Sequence, residues 1–228
     1  MSPDRLIRWV LKPIVFTAGL IPAAYIIWAA LHGGLGADPL KQITHETGDW
    51  TLRFIVATIA ITPLRRVSGW NGAVRFRRMI GLYAFFYGTL HFLIYVIADR
   101  FAGLDFQDGF LAWSTAGALA ASIWDDIYKR PYITVGFTAF VAMMPLAATS
   151  TTGWIRRMGG RNWRRLHRLI YLTGVAGVIH YWWLVKADIG RPAIYATLVA
   201  LLLGYRVALS LKNRRVRHHP VRTASPVP

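Results

Sequence analysis

The sequence contains no cysteine. Disulfides, thiolate-held iron–sulfur clusters and covalent haem attachment through a C-x-x-C-H motif are therefore excluded. Any haem would have to be held non-covalently, by histidine or a weaker ligand. Carboxylates are also scarce, with 10 Asp and Glu against 27 Lys and Arg, a net charge of +17. Charged residues of both signs make up only 16% of the chain, while 55% is hydrophobic and the mean hydropathy is +0.37. What is there in abundance is apolar sequence in runs of about 15 to 20 residues rather than at amphipathic spacing, the mark of a polytopic membrane protein. The basic residues sit in short stretches between those runs, as membrane orientation requires, and not in the patches that would bind nucleic acid.

Six spans are expected, at about 13–32, 49–65, 78–98, 132–149, 165–186 and 191–211. The basic N-terminus resembles the start of a signal peptide, but the first apolar run is too long for one, so a retained span is expected. The N-terminus, the second and fourth connections and the tail hold 19 Lys and Arg, against 6 in the other three connections. This alternation places both termini in the cytoplasm. The fold class is thus an all-α integral membrane protein, a six-helix transmembrane bundle. One domain covers 1–211, and a basic cytoplasmic tail follows at 212–228. The mildly hydrophobic stretch around 108–125 is expected as an extra helix at the outer surface or against the bundle, because a seventh span would invert the later connections. Arg53 follows Asp49 by one helical turn. Two readings stand for it: a snorkelling arginine paired with Asp49, or a group that holds a haem propionate.

Of seven histidines, His218 and His219 fall in the tail, and His32 and His45 in the first outer connection, where surface or docking roles are expected. His91, His167 and His180 fall inside spans, where ionisable groups are costly and are functional candidates by default. The third and fifth spans run the same way, which puts His91 and His180 at one outer level and His167 near the inner end. His91 and His180 can then face each other across one metal. Bis-imidazole ligation of a haem leaves no open site and favours electron transfer over oxygen chemistry. A continuous helix would carry His167 and His180 about 20 Å apart along its axis, and roughly 140° apart around it, unless a π-bulge intervenes. His167, with Arg77 or Arg78 nearby, would mark an inner site for a quinone, a flavin or a second haem. For the two arginines the alternative is simple positive-inside anchoring. A histidine-based proton channel or transporter is a further alternative; it would lack intramembrane carboxylates and paired broken helices.

Several segments together carry a family resemblance: HGGLGADP at 32–39, ITPLRR at 61–66, RRMIGL at 77–82, KRPYITVG at 129–136, ATST at 148–151, and W-x-x-L-H-R-L-I-Y…H-Y-x-W at 163–183. The chain resembles the haem-binding membrane subunits of bacterial periplasmic methionine sulfoxide reductase systems, within the wider ferric-reductase-like transmembrane family. The resemblance implies haem ligands at His91, His167 and His180, one haem b or two, and an association with FMN. Oxidase relatives carry a fourth histidine at the position of Arg77, so a second pair of histidine ligands is incomplete here. The implied role is a non-catalytic electron-transfer subunit. It takes electrons from the quinone pool or a cytoplasmic flavin reductase and passes them to a periplasmic molybdoprotein, an MsrP-like methionine sulfoxide reductase. Only 17 residues follow Leu211, so no fused flavin and nicotinamide domain is expected. A stand-alone ferric or cupric reductase would share the same spans and histidines.

Overall fold

A computed structural model describes residues 2–101, 113–185 and 188–218, and every regular element among them is helical. Helix α1 (Pro3–Leu6) passes through a π-helical turn at Ile7–Leu11 into α2 (Lys12–Leu31), which ends where Gly33 takes a positive φ. Helix α3 (Pro39–Ser68) starts under an Asp38 side chain that accepts from the Lys41 N–H at 3.0 Å, and stops at the left-handed Gly69. A 3-10 turn leads to α4 (Arg77–Ile94), which runs on as a π-helix over Tyr95–Phe101. Then come α5 (Trp113–Lys129), α6 (Pro131–Ala148), α7 (Thr152–Leu166), α8 (Leu169–Leu184) and α9 (Gly190–His218).

Four helices form the centre. α3 packs on α4 and α6 on α8, and the two pairs meet through α4 with α6 and α3 with α8. Their shared core is Ile55, Ile59, Ala84, Phe140, Met143, Leu146 and Ile170. α9 lies against α3 and α8, and α2 against α3 and α4. The outward faces of α2 and α9 are large and apolar, with Phe16, Ile21, Ile27, Leu198 and Leu201 exposed, as lipid-facing surfaces are.

Glycine sets the approach of α2 to α4. A Cβ on Gly19 would lie 2.4 Å from the Tyr83 ring. The Tyr83 hydroxyl donates to the Phe16 carbonyl at 2.5 Å, and Tyr87 bridges the Gly19 carbonyl (2.8 Å) and the Ala23 N–H (3.0 Å). Gly19→Ala should therefore destabilise by overpacking, about 1–3 kcal/mol, against a helix-propensity gain of about 1 kcal/mol. Thermal unfolding in detergent should show a lower Tm for it, while Gly204→Ala, with open space around it, should show no loss.

Among the described residues, four segments are long and apolar enough to cross a membrane: Asp4–Leu31, Asn71–Ala98, Pro131–Ala148 and Gly190–Asn213. They contain the first, third, fourth and sixth expected spans. The second lies in α3, which is long enough but carries Asp49, Arg53, Arg65 and Arg66. The fifth differs in kind from the expectation. The chain breaks at His167, the C-cap of α7, so α8 begins only at Leu169 and has 16 residues. His167 and His180 are thus not on one continuous helix, and the angular argument over thirteen helical residues does not apply. Residues 152–166, expected mostly as a connection, are the basic helix α7, bent at Gly159 (φ 74°). The extra helix expected around 108–125 is α5, running to Lys129 and packed on α6 and on the π-helical turn after α4; the first residues of the expected range lie outside the described ones.

Candidate functional site

His91 stands near the C-terminal end of α4 and His180 near that of α8. Their rings face each other at one end of the bundle, with centroids 6.1 Å apart and planes at 82°. Each ring is fixed by its Nδ1. That of His91 bonds the Thr44 carbonyl at 3.0 Å, and that of His180 the Tyr132 carbonyl at 2.7 Å. Bonding to a carbonyl requires the proton on Nδ1, which leaves Nε2 as a neutral acceptor. This is the outer-shell arrangement that prepares an imidazole to ligate a metal.

Both carbonyls are exposed by the same device. In a helix the side chain at i+4 leans back over the carbonyl of residue i. Four residues after Thr44 is Gly48, and four after Tyr132 is Gly136. A Cβ at Gly48 would lie 3.2 Å from the His91 ring, and one at Gly136 2.6 Å from the His180 Nδ1. The missing side chains are what admit the two imidazoles to the helix backbones.

The pair borders a cavity of about 290 Å³. Its walls are mainly apolar, from Leu52, Ile55, Phe92, Ile133, Phe137 and Phe140, and Ile123 and Ile127 of α5 also line it. The arrangement fits a haem. Metal–imidazole bonds of about 2 Å on each side, plus the nitrogen-to-centre distance in both rings, put two trans imidazoles about 6 Å apart between centroids. Among the described residues no group of three or more His, Cys, Asp or Glu is placed to hold a metal. Two ligands alone suit a metal whose other positions are filled by a macrocycle, and the apolar walls suit that macrocycle's faces.

A second cavity of about 240 Å³ lies toward the other end, lined by Arg77, Arg78, Trp163, His167 and Ser150 among others. The break between α7 and α8 turns His167 into it. The Trp163 ring stacks on His167 at 3.8 Å, its carbonyl bonds the imidazole Nδ1 at 3.2 Å, and its indole N–H donates to the Thr149 carbonyl. The His167 Nε2 is buried and makes no hydrogen bond of ordinary geometry among the described residues. Met143 lines both cavities. Beside it Phe92 stacks on Phe140 at 4.9 Å and Phe140 on Phe85 at 5.9 Å, so aromatic rings run from the wall of one cavity to the wall of the other.

Arg53 does not line either cavity. It pairs with Asp49 at 3.6 Å, donates to the Tyr195 hydroxyl at 3.2 Å and lies over the Trp50 ring at 4.4 Å. Asp49 itself is buried, borders the larger cavity and also meets Arg191 at 3.6 Å. Sequence reasoning passed over Asp49 as a cavity residue, and over Arg130, Gly48 and Gly136. Arg206 lies within the sixth expected span. That guanidinium is turned inward, donating to the Tyr171 hydroxyl and, at 2.8 Å, to the Ile59 carbonyl. A signal for two of these was present, since the segment KRPYITVG contains both Arg130 and Gly136.

The family model "Ferric reductase like transmembrane component" matches residues 47–178. Among curated relatives, a protein of Ralstonia nicotianae is 48% identical over 91% of this chain and 88% of its own. One from Xanthomonas euvesicatoria pv. vesicatoria is 49% identical over 90% and 88%, and one from Xanthomonas campestris pv. campestris 46% over 94% of both chains. Each bears the name protein-methionine-sulfoxide reductase heme-binding subunit MsrQ. No solved structure matches. Identity near one residue in two along almost the whole of both chains is more than a shared bundle architecture would produce, and the chain belongs to the MsrQ family of ferric reductase-like transmembrane proteins.

Proposed function

We propose that this chain is a haem-binding electron-transfer subunit of the bacterial inner membrane. His91 and His180 would hold one b-type haem, which would supply a one-electron redox centre. The observation that carries this reading is the pair of rings 6.1 Å apart, each held through Nδ1 by a helix carbonyl. The surrounding apolar walls exclude water, and the two hydrogen bonds hold the imidazoles in place, so little rearrangement accompanies a change of charge at the metal.

The cavity around His167 is the second redox site in this reading. Its lining combines Arg77 and Arg78 with an imidazole whose buried Nε2 makes no hydrogen bond of ordinary geometry, and includes no carboxylate, among the described residues. Two arginines favour an anionic ligand: haem propionates, a flavin phosphate or a reduced quinone. Electrons would enter here, from a quinone or a flavin reductase, and leave from the His91–His180 end to an MsrP-like periplasmic molybdoprotein. The six-span topology with cytoplasmic termini gives the direction. The span count rests on α3 and α8 crossing as well as the four more apolar segments. The relatives' names, over nearly full length, favour this partner over ferric or cupric chelates.

The test is a pyridine haemochrome assay on purified protein, with iron counted per polypeptide, followed by reduction in vesicles. Protohaem at one or two per chain, reduced by a quinol or a flavin reductase and reoxidised by the periplasmic partner, is the expected result. A colourless protein with pH-dependent ion flux would overturn it in favour of a channel.

A further inference from the structure

A haem presents two chemistries to its pocket, apolar faces and two carboxylates, and the second is not answered by the residues discussed so far. Among the described residues that line the His91–His180 cavity there is one Lys or Arg, and it is Arg130. On the α3 side the cavity meets Asp49, a buried carboxylate already facing Arg53 and Arg191. Those two arginines offset the charge of Asp49 and neither lines the cavity, so the Lys or Arg presented to a ligand among the described lining residues lies on the opposite wall. Arg130 stands on that wall, at the turn between α5 and α6, with the extended backbone expected before Pro131. It is two residues from Tyr132, whose carbonyl orients His180, so it sits close to the level of the axial ligands.

Its position is built rather than incidental. Asp126 of α5, only 5% exposed, meets the Arg130 Nε at 3.3 Å, Arg100 at 3.2 Å and the Tyr95 hydroxyl, which donates to it at 2.8 Å. The Arg130 N–H also donates to the Asp126 carbonyl at 2.9 Å. Ile123 and Ile127 on the same stretch of α5 form part of the cavity wall. A carboxylate that engages the Nε edge of a guanidinium fixes its plane, and the five N–H donors of arginine allow it to serve several acceptors at once. Asp126 thereby sets two polar groups of the cavity at once, Arg130 and Tyr95.

We propose that Arg130 binds a haem propionate at the α5–α6 edge of the cavity, with Asp126 as the positioning residue that aims it. This rests on the haem reading of the cavity. Arginine at this place gives the pocket an orientation for an otherwise nearly symmetric macrocycle, and α5 becomes a functional wall of the site rather than a surface appendage.

The experiment strips haem from the detergent-solubilised full chain and titrates it back with protohaem or with protohaem dimethyl ester, which lacks the charged carboxylates. Wild type should bind protohaem roughly 10- to 100-fold more tightly than the diester, the range expected for a hydrogen bond to a charged group. Arg130→Gln should lose most of that preference while binding the diester as wild type does. Arg130→Lys should keep part of it, and Asp126→Asn should lower it without abolishing diester binding. An acid-to-ester ratio unchanged in Arg130→Gln overturns the proposal, as does equal weakening toward both porphyrins. Failure of wild type to bind either porphyrin overturns the haem reading itself.

Discussion

His180→Ala is expected to cost far more haem than any change in the surrounding shell, because in the proposed site it removes one of the two imidazoles that would hold the metal. Losing an outer-shell partner of a ligating histidine typically costs about 10- to 100-fold in metal affinity, and loss of the ligand should exceed that. The purified variant should retain little haem, and what remains should show the spectrum of a metal with an open axial position. His91→Ala should behave alike, since the two rings are equivalent in geometry: each has a carbonyl on Nδ1 and each faces the other. Misfolding is separable from ligand loss. Imidazole added to either variant should restore haem and the low-spin spectrum if the cavity is intact. Haem content and spectra unchanged in both variants would remove the pair as ligands. His167→Ala, at the other cavity, should leave this centre's spectrum in place.

The particular residues show what can be read from one dimension. His91 and His180 could be matched from sequence because span direction and distance from a span end are one-dimensional quantities, and both histidines lie near the same end of helices that run the same way. Pro131 is a local stop signal of a similar kind, and α5 runs almost up to it, four residues past the expected 125. His167 was harder. The sequence WRRLHRLIY has no glycine or proline to announce a break, yet α7 ends there, at the join between a basic helix and the apolar α8. The break is a tertiary outcome, and it aims the ring into a second cavity. Arg53 and Arg130 show the same limit with opposite results. Each follows an aspartate by four residues near the larger cavity, Asp49 before Arg53 and Asp126 before Arg130, and of the two arginines only Arg130 reaches the lining. Gly48 and Gly136 were hidden most deeply. Glycine in a membrane helix is ordinary, and its purpose emerges only when a ring from another helix is found lying on it.

Gly136→Ala tests that purpose most sharply, because its two physical effects have opposite signs. Judged by helix propensity alone, alanine should stabilise α6 by about 1 kcal/mol. The added methyl, however, would fall 2.6 Å from the Nδ1 of His180, 2.8 Å from Cε1 and 3.0 Å from Cγ, well inside contact distance. These atoms belong to the ring's fixed edge, the one bonded to the Tyr132 carbonyl at 2.7 Å, so there is no flexible tip to swing aside. The ring must leave the carbonyl, and with it the orientation that points Nε2 at His91. Haem affinity should fall about 10- to 100-fold, a larger loss than the accompanying drop in apoprotein stability from the broken hydrogen bond would account for. Gly48→Ala should produce the same effect more weakly, since its methyl would lie 3.2 Å from the His91 ring, a gap that a few tenths of an ångström of adjustment would relieve. Haem titration of the two variants beside their apo melting curves gives the comparison. If Gly136→Ala binds haem as wild type does, the ring is free to move and the carbonyl is not what holds it.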